Sequence, residues 1–368
     1  MRRLGLIVAL AGCDPAATEA WAWELPAGFP EPFVPADNPM TADKVELGRH
    51  LFYDERLSYN ETMACASCHE QARAFTDGKA TTKGSTGHPL PRSAMSLTNV
   101  AYLSVYTWAN PKLADLEAQA LVPMFADFPL ELGVQTDTPG ILRRFADDAD
   151  YAAMFAAAFP EDEDPVTVRR IAEALAAFER TLISGDSPYD RYSYGGDEAA
   201  MSAAARRGLD LFFSERTECY HCHAGVAFST SFRSAGSEPG PPDFQNNGLY
   251  NVGGTGAYPP GNGGLYEITG EARDQGKFRV PTLRNVALTG PYMHDGSVAT
   301  LAEVVEHYAA GGREVTDGPF AGDGRVNPNK SPLVRKLDLS AAEKADMVAF
   351  LESLTDEGFV TDPRFGPP

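Results

Sequence analysis

Cys65-Ala66-Ser67-Cys68-His69 places a histidine directly after a CxxC pair of thiols. That spacing suits covalent attachment of a c-type haem, each thiol adding across one vinyl group of the porphyrin. The imidazole of His69 is then placed to ligate the iron from the proximal side. Cys219-Tyr220-His221-Cys222-His223 repeats the pattern. Zinc knuckles and redox dithiols also use CxxC pairs. Zinc knuckles, however, keep their pairs close together, and neither chemistry calls for a histidine after each second cysteine. The two runs therefore predict two covalent c-type haems, one on Cys65, Cys68 and His69 and one on Cys219, Cys222 and His223.

What such a pair of haems does depends on the other side of each iron. An electron carrier wants both irons six-coordinate, whereas a peroxide enzyme needs one open iron beside an acid–base group. The stretch from Trp108 to Leu132 contains Trp108, Glu117, Gln119 and Glu131. Two carboxylates and a glutamine there could line a distal pocket; equally, the acids could form a solvated face and Trp108 could be core.

Composition narrows the partners. The chain has 368 residues, 43% of them hydrophobic, and a formal charge of -20. That is enough apolar material for two cores. The charge argues against nucleic acid or an anionic membrane surface as partner and favours a basic or neutral protein. Four of the five cysteines belong to the haem motifs, which leaves Cys13. Met1-Arg2-Arg3, the apolar run to Ala11 and Leu10-Ala11-Gly12-Cys13 have the form of a bacterial lipobox; an ordinary signal peptide is the alternative. Either form predicts export to the periplasmic side, with a lipid on Cys13 as the one membrane attachment.

The elements around the motifs read as helices. Residues 1–13 are the signal and lipobox, and 14–40, with Pro26, Pro30, Pro32, Pro35 and Pro39, an extended tether carrying Trp21 and Trp23. Domain one covers 41–192 and opens with a helical segment at Leu47. Domain two covers 193–358, and 359–368 is a tail. Gly48, Leu51, Phe52 and Arg56 return at one constant offset as Gly208, Leu211, Phe212 and Arg216, which predicts an internal duplication with each Leu-Phe pair at a porphyrin edge. Ile171, Leu175, Phe178 and Leu182 mark a core helix. Gly185, Pro188, Gly195 and Gly196 mark the interdomain joint. Ser340 and Glu343 form a capping box for a last helix that buries Met347, Phe350, Leu351 and Leu354. Residues 235–277 read as a long Gly- and Pro-rich loop without a core of its own, folded over a haem edge. The expected fold is all-α, two cytochrome c-like domains with the haems flanking their interface.

Over nearly its whole exported length the chain resembles the bacterial di-haem cytochrome c peroxidase and MauG superfamily. The matching text includes Ser96-Leu97-Thr98-Asn99-Val100, Leu116-Glu117-Ala118-Gln119-Ala120, Phe178-Glu179-Arg180-Thr181-Leu182, Pro281-Thr282-Leu283-Arg284-Asn285 and Pro291-Tyr292-Met293-His294-Asp295-Gly296. Gln119-Ala120-Leu121-Val122-Pro123-Met124-Phe125 looks closest to the methanobactin-associated, MauG-like branch. The resemblance implies that Trp108 lies between the haems, and that Glu131 is the distal acid–base of domain one's haem, with Gln119 lining its pocket. It also implies a calcium site made by Asn99 and the carbonyls of Thr289 and Pro291. The sixth ligand of domain two's haem falls at Tyr308, where the peroxidases carry methionine; His307 and Met293 are the alternatives. His88 lies near the position of a loop histidine that caps haem one in some peroxidases, and haem one is expected to be open. The implied activity is reaction with hydrogen peroxide to give a high-valent di-haem state that oxidises an aromatic residue, tryptophan above all, of a partner protein. A conventional peroxidase drawing electrons from a small cytochrome or cupredoxin is the second reading, and an electron-transfer di-haem cytochrome the third. MauG places a surface tryptophan two residues before its second motif; here that position is Thr217, leaving Tyr220 or the haem edge as the exit for charge.

Overall fold

The computed structural model describes residues 21–238, 240 and 242–368, so Cys13 and the lipobox lie outside the described residues. Domain one's helices are α1 (Ala42–Tyr53), α2 (Leu116–Phe125), α3 (Thr138–Ala146), α4 (Ala149–Ala158) and α5 (Val168–Arg180). Each begins at a Thr or Asp (Thr41, Asp115, Asp137, Asp148 and Thr167) whose side chain accepts a hydrogen bond from a first-turn N–H. Those caps satisfy donors a helix cannot pair internally. The remaining helices are α6 (Pro188–Ser193), α7 (Ala203–Phe212), α8 (Tyr266–Thr269), α9 (Leu301–Ala310) and α10 (Ala341–Glu352). Strand is confined among the described residues to two antiparallel two-residue pairs. They are β1 (Phe244–Gln245) with β2 (Phe278–Arg279), and β3 (Glu314–Val315) with β4 (Gly322–Asp323). The fold is helix-rich, and long irregular segments join the helices.

Both halves are organised on one crossing. α1 lies so close to α5 that a Cβ on Gly48 would stand 2.0 Å from the Ala174 carbonyl oxygen. α7 meets α10 in the same way, a Cβ on Gly208 falling 2.0 Å from the Asp346 carbonyl oxygen. Only glycine allows backbones to approach so closely. One phenylalanine pair follows each crossing, Phe52 on Phe178 at 5.2 Å and Phe212 on Phe350 at 5.0 Å between ring centroids. Leu47, Leu51, Phe52, Ile171, Leu175, Phe178 and Leu182 are fully enclosed in the first core, although α5 itself ends two residues before Leu182. The second core holds Phe212, Met347, Phe350, Leu351 and Leu354. Ser340 and Glu343 form the capping box that opens α10.

The joint between the halves is a polar seam. Asp356 accepts from the Ser184 hydroxyl and from the Gly185 and Asp186 N–H groups, while Arg284 and Asp190 form a buried ion pair at 2.5 Å. Three segments differ from the sequence expectations. The 235–277 region is not coreless: Leu249, Tyr250 and Tyr258 form an apolar cluster with Ala109, Phe278 and Val298. Its aromatic residues supply the burial that loop composition conceals. The described part of the proline-rich segment is docked rather than hanging free, since Phe29 packs on Tyr102 and Asn38 is buried against α2 and α5. The C-terminal segment returns to domain one, burying Phe359, Val360 and Phe365 in its core.

Candidate functional site

Each attachment motif is a tight turn of 3-10 helix, Cys65–Ser67 and Cys219–His221, whose cysteines are free thiols. Cys65 packs against the first core and Cys219 against the second, so the two pairs cannot share one zinc ion. Burial pushes the Cys68 and Cys222 thiols up to about 11 each. The following histidines are held alike. His69 Nδ1 lies 2.9 Å from the Phe75 carbonyl and His223 Nδ1 3.0 Å from the Phe228 carbonyl. An Nδ1–H donating to a backbone carbonyl leaves Nε2 as the lone-pair nitrogen, the arrangement of an oriented metal-binding imidazole. Burial lowers both imidazoles, which keeps them neutral as ligation requires.

Beside the second motif is a cavity of about 270 Å3, walled by Cys219, Cys222, His223, Phe212, Leu301, Val305, Met347 and Leu351 among others. Tyr308, from α9, opens into it, and burial raises its phenol. His307, one residue earlier, turns away, its Nε2 3.0 Å from the Asn247 carbonyl. Met293 also reaches the cavity, with its sulfur accepting from Asn247 Nδ2 at 3.4 Å. Two of the three sixth-ligand candidates therefore line the cavity that His223 also lines.

Trp108 lines the domain-one side of the same cavity together with Thr76, Ser93 and Met95. Its indole N–H donates to the Ser93 carbonyl at 3.0 Å, and its ring meets Phe278 and His294 edge-on at 6.5 Å each. Thr289 and Pro291 line this cavity as well. Asn99 does not join them. Its amide donates to the Ser184 carbonyl at 3.0 Å and accepts from the Ser184 N–H at 2.7 Å. That reciprocal pair fixes the Asn99 side chain against Ser184, close to the interdomain seam.

On the first haem's side the two acids of the Trp108–Leu132 stretch separate. Glu117 is a brace: burial opposes its charge, but Arg180 at 2.7 Å and Asn38 at 2.6 Å hold its carboxyl below the usual range. Among the described residues Glu131 has no such partner, and burial pushes its carboxyl up. After burial itself, the negative charge of Glu131 is among the influences raising both Cys65 and Cys68, which places it beside the first motif. Gln119 is half-buried on α2, with no side-chain hydrogen bond among the described residues. His88 is exposed, its ring 5.3 Å from Phe128.

Two buried charges were missed by sequence reasoning. Glu179 on α5 is enclosed and pushed by burial up to about 8, its Oε2 without a partner. Arg279 lies in the wall of the second cavity. The signal for Glu179 was an acid on the stripe of Ile171 and Leu175 at helical spacing.

The cofactors fit these residues. The thiols are unbridged, each imidazole is oriented through its Nδ1, and a largely apolar cavity lined by Tyr292 and Tyr308 adjoins the second motif. Two such motifs on paired helix crossings define a di-haem c-type oxidoreductase of the peroxidase kind. The chain belongs to the di-haem cytochrome c peroxidase and MauG family: the model of di-haem cytochrome c peroxidases matches residues 42–199. It is 38% identical to cytochrome-c peroxidase IdrP1 of Denitromonas iodatirespirans, over 98% of this chain and 95% of that protein. It is 34% identical to the methylamine utilization protein MauG of Methylorubrum extorquens, over 88% of this chain and 81% of that one. Among solved structures, a MauG-like protein associated with microbial copper homeostasis superposes with a TM-score of 0.92 at 51% identity, covering 95% of this chain and 99% of that chain.

Proposed function

We propose that this chain is an exported enzyme that reacts with hydrogen peroxide at the haem held by His69 and uses the oxidising equivalents on an aromatic side chain, tryptophan above all, of a partner protein. The two haems supply the redox chemistry, accepting two oxidising equivalents from peroxide. Glu131 does the proton work in this reading, taking the peroxide proton at a carboxylate oxygen and returning it to the leaving oxygen. A carboxyl raised by burial and free of a cation is suited to both steps. Exposed His88, resting on Phe128, supports an open first haem. Trp108, walling the second cavity from the domain-one side, is placed to pass charge between the haems. Tyr220 then serves as exit, since its hydroxyl donates to Glu215 and its ring stacks on Phe213 at 6.2 Å.

The observation that carries this reading is Tyr308 lining the same cavity as His223 while His307 is tied to Asn247. A phenolate ligand favours oxidised iron, which suits a stored oxidising state better than electron uptake. The second reading, a conventional peroxidase fed by a small cytochrome or cupredoxin, is favoured by Met293 at the same cavity. Tyr308→Met discriminates between them. It should abolish the long-lived peroxide-oxidised state and partner oxidation while raising the second haem's potential. Rapid peroxide turnover by wild-type protein with reduced cytochrome c, and no long-lived oxidised species, would select the second reading. The proposal further includes duplication as the origin of the two halves, with haems flanking their seam. A calcium ion between them would have Asn99 and the carbonyls of Thr289 and Pro291 as ligands. Lipid on Cys13 would hold the enzyme at the periplasmic face of a bacterial membrane.

A further inference from the structure

Arg279 has a cost that the protein alone does not offset. Its side chain is buried at 4% exposure in the wall of the second cavity. Its donors reach only neutral acceptors: Nε to the Thr107 carbonyl at 3.1 Å, Nη1 to the Val280 carbonyl at 3.3 Å and Nη2 to the Met95 sulfur at 3.6 Å. No carboxylate pairs with it among the described residues. Burial pushes even this guanidinium down to about 10, opposed only by Tyr106. A buried cation without a counter-charge is strongly destabilising. The other charged groups of the cavity wall do not help. Glu218 faces Arg335 at 3.5 Å, and His294 is pushed by burial down to about 4 and stays neutral. The cavity thus offers one desolvated positive charge, whose Nη2 has nothing better than a sulfur, and it adjoins the thiols to which a dianionic group attaches.

We propose that the Arg279 guanidinium is the counter-charge for a propionate of the haem bound at Cys219 and Cys222, a positioning residue that sets that haem's potential and holds Trp108 against it. The second half of this role is in the backbone. The Arg279 N–H donates to the Trp108 carbonyl at 2.7 Å, and Nε holds the preceding Thr107 carbonyl. One residue therefore ties the haem's carboxylate edge to the peptide that carries the inter-haem ring. A cation beside a propionate disfavours ferric iron and keeps the propionate ionised. Without it the haem should become easier to oxidise, and the propionate should titrate at a higher pH.

The inference rests on a haem being attached at the second motif, which the haem count of the purified holoprotein tests separately: one haem per chain would overturn the di-haem reading rather than this one. With two haems bound, spectroelectrochemical titration of Arg279→Gln should show one midpoint lowered and newly dependent on pH in the weakly acidic range, the other haem unmoved. Arg279→Lys should restore both features. A fully loaded Arg279→Gln with the wild-type midpoint and pH profile overturns the proposal, and so does an Arg279→Lys that behaves like Arg279→Gln. Should Arg279→Gln fail to load haem, wild-type holoprotein decides. Reduced-minus-oxidised infrared spectra taken across the second haem's midpoint should show propionate only as carboxylate at neutral pH. A protonated carboxyl band that follows that haem overturns the assignment.

Discussion

Glu131 and Glu179 are two acids raised by the same cause and fitted to different ends. Glu131 is half-buried beside the first motif, so Glu131→Gln should keep both haems and the ferric spectrum while slowing the reaction with peroxide ~10²-fold or more. Stopped-flow mixing reads this directly, and an unchanged rate would return Glu131 to the surface. Glu179 is enclosed, and its folded pKa of about 8 lies above the value of an unfolded glutamate. The folded state therefore binds the extra proton, so stability from this residue is present at acid pH and is lost as pH rises from the ordinary carboxyl range through 8. Glu179→Gln should flatten that decline, adding on the order of 1–3 kcal/mol at pH 8 and little at pH 4. Melting curves at the two pH values test it; equal gains at both would mean the carboxyl is not the source. Residue chemistry was legible where covalent bonding fixes the spacing, as in the two attachment motifs. It was not legible where the outcome turns on a distant partner: Glu117 and Glu131 look alike in sequence until Arg180, 63 positions beyond Glu117, claims one of them.

At the scale of elements, the paired crossings set how each haem motif is held. The α1–α5 approach at Gly48 has no room for a methyl group, which would meet Ala174 backbone and the Phe178 Cβ at 2.9 Å. Gly48→Ala should destabilise domain one by about 1–3 kcal/mol and lower haem loading at Cys65 and Cys68 before loading at the second motif. Gly208→Ala should do the reverse, and peptide mapping of haem-bearing fragments tells the two apart. Loss of both haems in equal measure would show that the halves do not fold as separable units. Helices were readable because caps and apolar spacing are local, as Ser340 and Glu343 illustrate. The 235–277 region was misjudged because its core is assembled from Tyr250, Tyr258 and Phe278 without any period.

At the scale of the whole molecule, a charge of -20 should govern encounters with partners. Oxidation of a basic protein partner should slow as salt rises, because screening at ~0.15 M leaves a Debye length of about 8 Å. The rate of the peroxide step should not change with salt, so measuring both steps over one salt series separates steering from chemistry. A salt-independent partner reaction would place the docking patch away from the acidic surface. The C-terminal strap has a consequence of another kind. Gln71, two residues past His69, donates to the carbonyls of Phe359 and Asp362, and Phe359 packs on Phe75, whose carbonyl holds the His69 ring. Residues 359–362 thus finish the wall behind the first motif, so the orientation of the His69 ring is answerable to a segment far from it in sequence.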